Sequence, residues 1–229
     1  MTSGGMGVGR LDGFAVFVPG SIPGERILAH VVKVQRHYAY AKLMEIRSAS
    51  PDRMESDCPV SIACGGCCYR HMTYEAECRI KEQQVTDTFR RIGGYQGPVL
   101  PILPSPLQDG YRNKAQIPVR AGRHGLEMGF FAEGSHRVVP HDYCPLSPAI
   151  FDEIARSAGE LLRRFGIPPY NEETGGGLIR HLYLRYAEST GAVQVGFVVN
   201  AENCPMPARS ARRSPSASPD DQRHLPQPQ

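Results

Sequence analysis

Residues 58–71 read Cys58-Pro59-Val60-Ser61-Ile62-Ala63-Cys64-Gly65-Gly66-Cys67-Cys68-Tyr69-Arg70-His71. Cys58, Cys64 and Cys67 form a C-x5-C-x2-C array, and Cys144, again followed by proline, lies far downstream. Three clustered thiols with a distant fourth are the ligand set of an iron–sulfur cluster or of a closed zinc site. Zinc sites usually pair two short knuckles, and only one C-x2-C knuckle is present, which favours iron–sulfur. Cys58-Pro59 and Cys144-Pro145 also match the Cys-Pro that ends some ferredoxin runs. A loop turning two thiolates toward one centre needs positive φ and close backbone approach, both expected of Gly65-Gly66. Its amides can face sulfur and stabilise negative charge there. Disulfides would need an oxidising compartment, and no export signal is read at Met1–Met6. Cys68 is the alternative to Cys67, although the C-G-G-C turn favours Cys67. Cys78 falls in a helical pattern and reads as a small buried apolar residue.

The totals permit one to three domains. The chain has 229 residues, 41% of them apolar, with 24 Gly, 20 Pro and no Trp, so a packed core is affordable within a loop-rich fold. Net charge is +3, weakly basic, which permits nucleic-acid binding without requiring it. No apolar run reaches membrane-spanning length. A reducing cytoplasm is the expected location for seven cysteines used as ligands and buried thiols.

Upstream of the cysteine loop, residues 4–57 read as five short β-strands closed into a small OB-like barrel, since closure removes exposed edges. Asp12-Gly13 is a hairpin signal within it. Arg10, Arg26, Lys33, Arg36, His37 and Lys42 are spread along these strands, where a small barrel can track phosphates. The Gly5-x-Gly7-x-Gly9 run is no dinucleotide loop, lacking a preceding strand and a following helix.

Downstream, residues 58–200 read as an α+β domain. Helical spacing spans 72–92, with Arg90-Arg91 in the last turn and Gly93-Gly94 as the stop. Residues 110–119 read as a strand with a basic polar face. Leu126–Phe131 and His136–Pro140 continue an antiparallel meander that delivers Cys144. Residues 148–165 form an amphipathic helix with Pro148 at its first position. Two further strands flank Thr190-Gly191. Residues 201–229, rich in Pro, Ser and Arg, cannot bury enough apolar surface to order themselves, and Cys204 lies among them.

Taken in order, these segments resemble the RNA (uracil-5-)-methyltransferase family, especially its 23S ribosomal RNA members. The resemblance rests on Gly7-Val8-Gly9-Arg10, Phe17-Val18-Pro19-Gly20 and Pro23-Gly24-Glu25, which match a TRAM barrel. It continues through Cys58-Pro59, Cys64-Gly65-Gly66-Cys67, His71 and Arg91-Ile92-Gly93-Gly94. Tyr111-Arg112-Asn113-Lys114-Ala115-Gln116, Gly129-Phe130-Phe131, Cys144-Pro145-Leu146 and Arg180-His181-Leu182 complete it. The resemblance implies a 4Fe–4S cluster on Cys58, Cys64, Cys67 and Cys144. It implies RNA, and 23S ribosomal RNA in particular, as partner, with S-adenosylmethionine as methyl donor. Family chemistry adds a cysteine thiolate to uracil C6, so that C5 attacks the donor methyl and a base removes the C5 proton.

Arg112, Lys114 and Gln116 are the leading candidate RNA contacts, followed by Arg123, His124, His136 and Arg137. One of Phe130 and Phe131 is expected to be core and the other free to stack a base. After Asn200 no glycine-rich strand–turn–helix or nucleophile cysteine follows. The expectation is therefore a truncated chain, inactive alone, with the methyltransferase domain and donor site absent. It is expected to be monomeric, with Ala76, Ile80, Val85 and Phe89 as an exposed association face. The competing readings are a stand-alone RNA-binding iron–sulfur module and a zinc-stabilised adaptor.

Overall fold

The computed structural model describes residues 1–122 and 125–201. Arg123 and His124, and the residues from 202 onward that include Cys204, lie outside the described residues, so the expectations placed on them are not addressed by it.

Two sheets divide the chain. The first contains β1 (Gly7–Leu11), β2 (Phe14–Val18), β3 (Arg26–Val34) and β4 (Tyr38–Ser48), in the order β1-β2-β4-β3. The expected closed barrel of five strands is, among the described residues, a four-stranded sheet with β1 and β3 at its edges and not paired to each other; the long β3–β4 hairpin takes nine and eleven residues and carries β-bulges. β2 and β4 pair in parallel, joining the two hairpins. The predicted Asp12-Gly13 turn is present with φ of 49° and 83°, the two left-handed positions that a tight hairpin demands.

The second sheet has the order β7-β6-β5-β8-β9 and is antiparallel throughout. Its strands are β5 (Lys114–Gly122), β6 (Gly125–Phe131), β7 (Val138–Pro140), β8 (Ile179–Ala187) and β9 (Ala192–Val199). Ala115, Ile117, Leu182 and Leu184 alternate inward and pack with Phe151 and Ala158 of α2 (Ala149–Arg164). Pro148 is the residue that precedes this helix rather than its first turn. Two helices beside sheets that are antiparallel except for the β2–β4 pair make the fold α+β, as the sequence indicated.

Between the sheets run the cysteine loop and α1 (Tyr74–Arg91), capped by Thr73, whose side chain accepts from the Ala76 amide at 3.3 Å. Ile22, Tyr69, Met72 and Ala76 form a small core that docks the first sheet onto the start of α1. The expected exposed face of α1 is therefore smaller than foreseen. Ala76 is buried and Ile80 packs on that core, whereas Val85 and Phe89 remain exposed. Cys78 is half-buried. Among the described residues no helix is long and apolar enough to cross a membrane.

Candidate functional site

The cysteine loop is anchored by short-range backbone bonds. Cys64 N–H donates to Val60 C=O at 2.8 Å, and Gly65 N–H donates to Phe131 C=O at 3.0 Å. Neither Gly65 nor Gly66 has a positive φ, contrary to expectation. Gly65 is required for a different reason: a Cβ there would lie 2.9 Å from the Glu133 backbone, so only glycine lets the loop seat against β6. Gly66 N–H points at Cys64 Sγ at 3.4 Å, the amide-to-sulfur arrangement expected of the turn.

Cys144 reaches the same place from the other end of the chain. Strand 110–119 begins only at Lys114. Before it, the Gly110 and Arg112 amides donate to Pro145 and Leu146 carbonyls, both at 2.9 Å, and tie this segment to the Cys144 turn. Cys58, Cys64, Cys67 and Cys144 consequently line one cavity, walled by Val60, Phe130 and Pro145. Cys68 is exposed and is not part of that lining. Arg70 stands at the rim and bridges Asp57 at 2.6 Å and Asp109 at 2.7 Å, joining the Cys58 flank to the 109–112 segment.

The electrostatics follow from the crowding. Burial raises the Cys67 thiol to about 11, with Cys144 and Cys64 adding to the rise and Arg112 and Arg70 opposing it. Burial likewise raises Cys64, and the Gly66 amide works against it. Metal binding at Cys64 and Cys67 would displace the thiol protons that burial favours. The donor set is thus chemically suited to a metal centre. As the side chains stand, no group of three or more His, Cys, Asp or Glu among the described residues is arranged to hold a metal ion. The thiols share a cavity without being drawn onto one point.

The candidate RNA contacts separate into two groups. Arg112 turns away from the strand face, and its guanidinium donates to Gly66 C=O at 3.3 Å, beside the cysteines. Lys114 and Gln116 are exposed on the sheet face opposite α2, with the Lys114 ammonium 5.5 Å from the Tyr183 ring. Arg137 is exposed in the turn before β7. Phe130 packs on the α2 side, while Phe131 faces the other way, edge-on to His181 at 6.4 Å. On the first sheet, Arg10, Arg26, Lys33, Arg36, His37 and Lys42 are all exposed. The same sheet carries the rings of Phe17, Tyr38 and Tyr40, which lie 5.5–5.7 Å apart.

His71 caps nothing; Thr73 does that. Its Nε2 is buried with no hydrogen-bond partner among the described residues, and burial lowers its pKa. Sequence reasoning missed Arg120 and Glu172, and named Arg180 within a matching segment without giving it a role. Their only signal was charge in a turn or on a strand, since the sequence does not show that residues fifty positions apart meet.

Residues 2–44 match the TRAM domain. Over 206 residues the chain is 41% identical to an uncharacterised RNA methyltransferase of Halalkalibacterium halodurans, covering 90% of this chain and 45% of that one. An uncharacterised RNA methyltransferase of Gloeobacter violaceus is 37% identical over 205 residues, covering 88% and 45%. Among solved structures, the Pyrococcus abyssi tRNA (uracil-54, C5)-methyltransferase in complex with S-adenosyl-L-homocysteine superposes with a TM-score of 0.65. That match has 27% identity and covers 89% of this chain and 48% of that one.

The chain spans about half the length of the curated relatives it matches. The expectation of a truncated, inactive product whose methyltransferase domain is absent is overturned. About nine-tenths of the chain aligns with RNA methyltransferases, and its fold neighbour is a methyltransferase. The point at which this sequence stops is no measure of an early stop or frameshift.

Proposed function

We propose that this chain, related along about nine-tenths of its length to RNA methyltransferases, works in S-adenosylmethionine-dependent methylation of uracil C5 in RNA. The reading takes 23S ribosomal RNA as substrate and a 4Fe–4S cluster on Cys58, Cys64, Cys67 and Cys144 as resident cofactor. The observation that carries the cluster is the shared cavity, which gathers these four thiols from two distant segments and leaves out Cys68. When bound, the cluster would supply a cross-link between the 58–67 loop and the Cys144 turn. The protein's own contribution is positional. Arg112 and Arg70 offset thiolate charge, and the 110–112 backbone bonds carry the alignment of that turn into the start of β5. RNA binding is assigned to the basic, aromatic-bearing first sheet and to Lys114, Gln116, Arg123 and Arg137.

The test uses the full gene product, purified without oxygen. Iron and acid-labile sulfide are expected in equal amounts, and Cys144→Ser should remove both. Zinc as the sole metal would defeat the cluster reading. With labelled S-adenosylmethionine, label is expected at uracil C5 of unmodified 23S ribosomal RNA. Label confined to transfer RNA would overturn the substrate, and no label in either would overturn the activity.

A further inference from the structure

On the sheet face away from α2, Glu172 spans the Arg120 guanidinium of β5 and the His136 imidazole in the turn before β7. Its Oε1 accepts from Arg120 Nη2 at 2.6 Å, and its Oε2 pairs with His136 Nδ1 at 2.7 Å. Arg120 comes from β5 and is largely buried, its side chain 15% exposed, because its other amino group also donates to the Val119 and Arg180 carbonyls. Arg180 lies close by, its guanidinium 4.3 Å from the Tyr170 ring. The Phe131 ring sits between Arg120 at 5.6 Å and the His136 ring at 5.7 Å. His181 Nδ1 is buried and has no hydrogen-bond partner among the described residues.

Arg120 and Arg180 are built into β5 and β8, whereas His136, in the turn before β7, and the carboxylate are not. Residues 171–177, which carry Glu172, are all exposed. They are held mainly by local bonds, including Asn171 Oδ1 accepting the Glu173 and Thr174 amides at 2.8 and 3.1 Å. Two carboxylate oxygens on one guanidinium and one imidazole reproduce how two non-bridging phosphate oxygens would be held. The His136 hydrogen bond, followed by the Arg120 and Arg180 charges, lowers the Glu172 pKa, so it stands there as an anion.

The rest of the face continues the pattern. β5 and β8 pair Lys114 with Arg185, Gln116 with Tyr183 and Pro118 with His181, all on the side opposite the α2 core. Cations, amide and rings thus run from Lys114 to Arg120, as a single-stranded nucleic acid requires.

We propose that Arg120, His136 and Arg180 form a phosphate subsite for unpaired RNA, with Phe131 as the adjoining base-stacking ring, and that Glu172 occupies it in the free protein. Binding exchanges the carboxylate for a backbone phosphodiester. This rests on the reading of the chain as an RNA binder and assigns that reading a specific site. RNA is the occupant because the cradle lies on a face bearing further cations and a second ring, more than a lone phosphate would use.

The experiment measures polarisation of a labelled oligouridine with the full gene product across a salt series. Glu172→Gln is expected to tighten binding roughly two- to fivefold, the scale of one exposed ion pair. Glu173→Gln, the same charge change one residue away, should leave affinity unchanged. Arg120→Gln should weaken binding and reduce the salt slope by about one. Equal affinities for wild type, Glu172→Gln and Glu173→Gln would overturn the subsite, as would equal tightening by both. Failure of the underlying reading looks different, since wild type itself would then show no salt-dependent binding.

Discussion

The two sheets use similar strands to opposite ends. In the second, Val119, Ile179, Leu182 and Leu184 have no exposure and Phe151 of α2 has 1%, because a helix covers one face. In the first, Val31, Val32 and Val34 are 47%, 59% and 67% exposed, and its buried residues are mostly small: Ala39, Ala41 and Val18. The second sheet therefore carries its own core. The first depends on being docked, through Ile22 against Tyr69, Met72 and Ala76 and through the ion pair of Arg53 with Glu25. That division suits their proposed work. A sheet without a covering helix leaves its cations and rings available to RNA, and a sheet covered on one face can hold the cysteine turn still while its other face carries Lys114, Gln116 and Arg120.

The largest effect should come from the covered sheet. Leu182→Ala is expected to lose about 3–4 kcal/mol, transfer term plus cavity, in urea unfolding. Val31→Ala on the first sheet should stay within about 0.5 kcal/mol. Similar losses at both would erase the contrast.

The docking ion pair comes next. Glu25 has a side chain 1% exposed, and it accepts from Arg53 Nη2 at 2.9 Å and from the Ile22 amide at 3.0 Å. Burial works to raise its pKa, but the Arg53 and Ile22 hydrogen bonds and the Arg53 charge outweigh it and leave the net below 4.5. Folding thus favours the ionised form. Its contribution is complete above the unfolded value near 4.5 and is lost as pH falls through the lower folded value. Glu25→Ala should cost about 3 kcal/mol at neutral pH, by stranding Arg53. The difference from wild type should shrink in acid, and a pH-independent difference would show that this carboxylate does not hold the dock.

The smallest effect tests the other side of that dock. Thr73→Ala removes the α1 cap and should cost about 1 kcal/mol, seen as faster amide exchange in the first turn of the helix. Unchanged exchange at Ala76 would mean that the hydrophobic dock alone fixes the helix start.

Several elements were legible in the sequence. Asp12-Gly13 forced a hairpin, and the spacing of apolar residues gave both helices to within two residues at each end. Strand 110–119 was misread at its start because alternation at Tyr111 and Asn113 looks the same whether or not a partner strand exists. In the structure the neighbouring Gly110 and Arg112 amides bond to the Cys144 turn instead, and only Asn113, whose C=O accepts from the Tyr186 amide, touches β8. Arg112 was read as an RNA contact on that strand face, and in the structure its guanidinium donates to Gly66 C=O beside the cysteines, a position the local sequence did not reveal. Gly65 was read as a positive-φ position, although its need is proximity to Glu133, which lies sixty-eight positions away.

What the sequence determined alone is local: the turn residues, the helical periods and the choice of thiols as the chemically distinctive groups. These follow from backbone sterics and side-chain chemistry, which act over a few residues. Only the tertiary structure decided that Cys144 shares a cavity with Cys58, Cys64 and Cys67, and that Glu172 sits between Arg120 and His136. Those meetings depend on strand register and on which sheet face a helix covers, and no short window of residues encodes either.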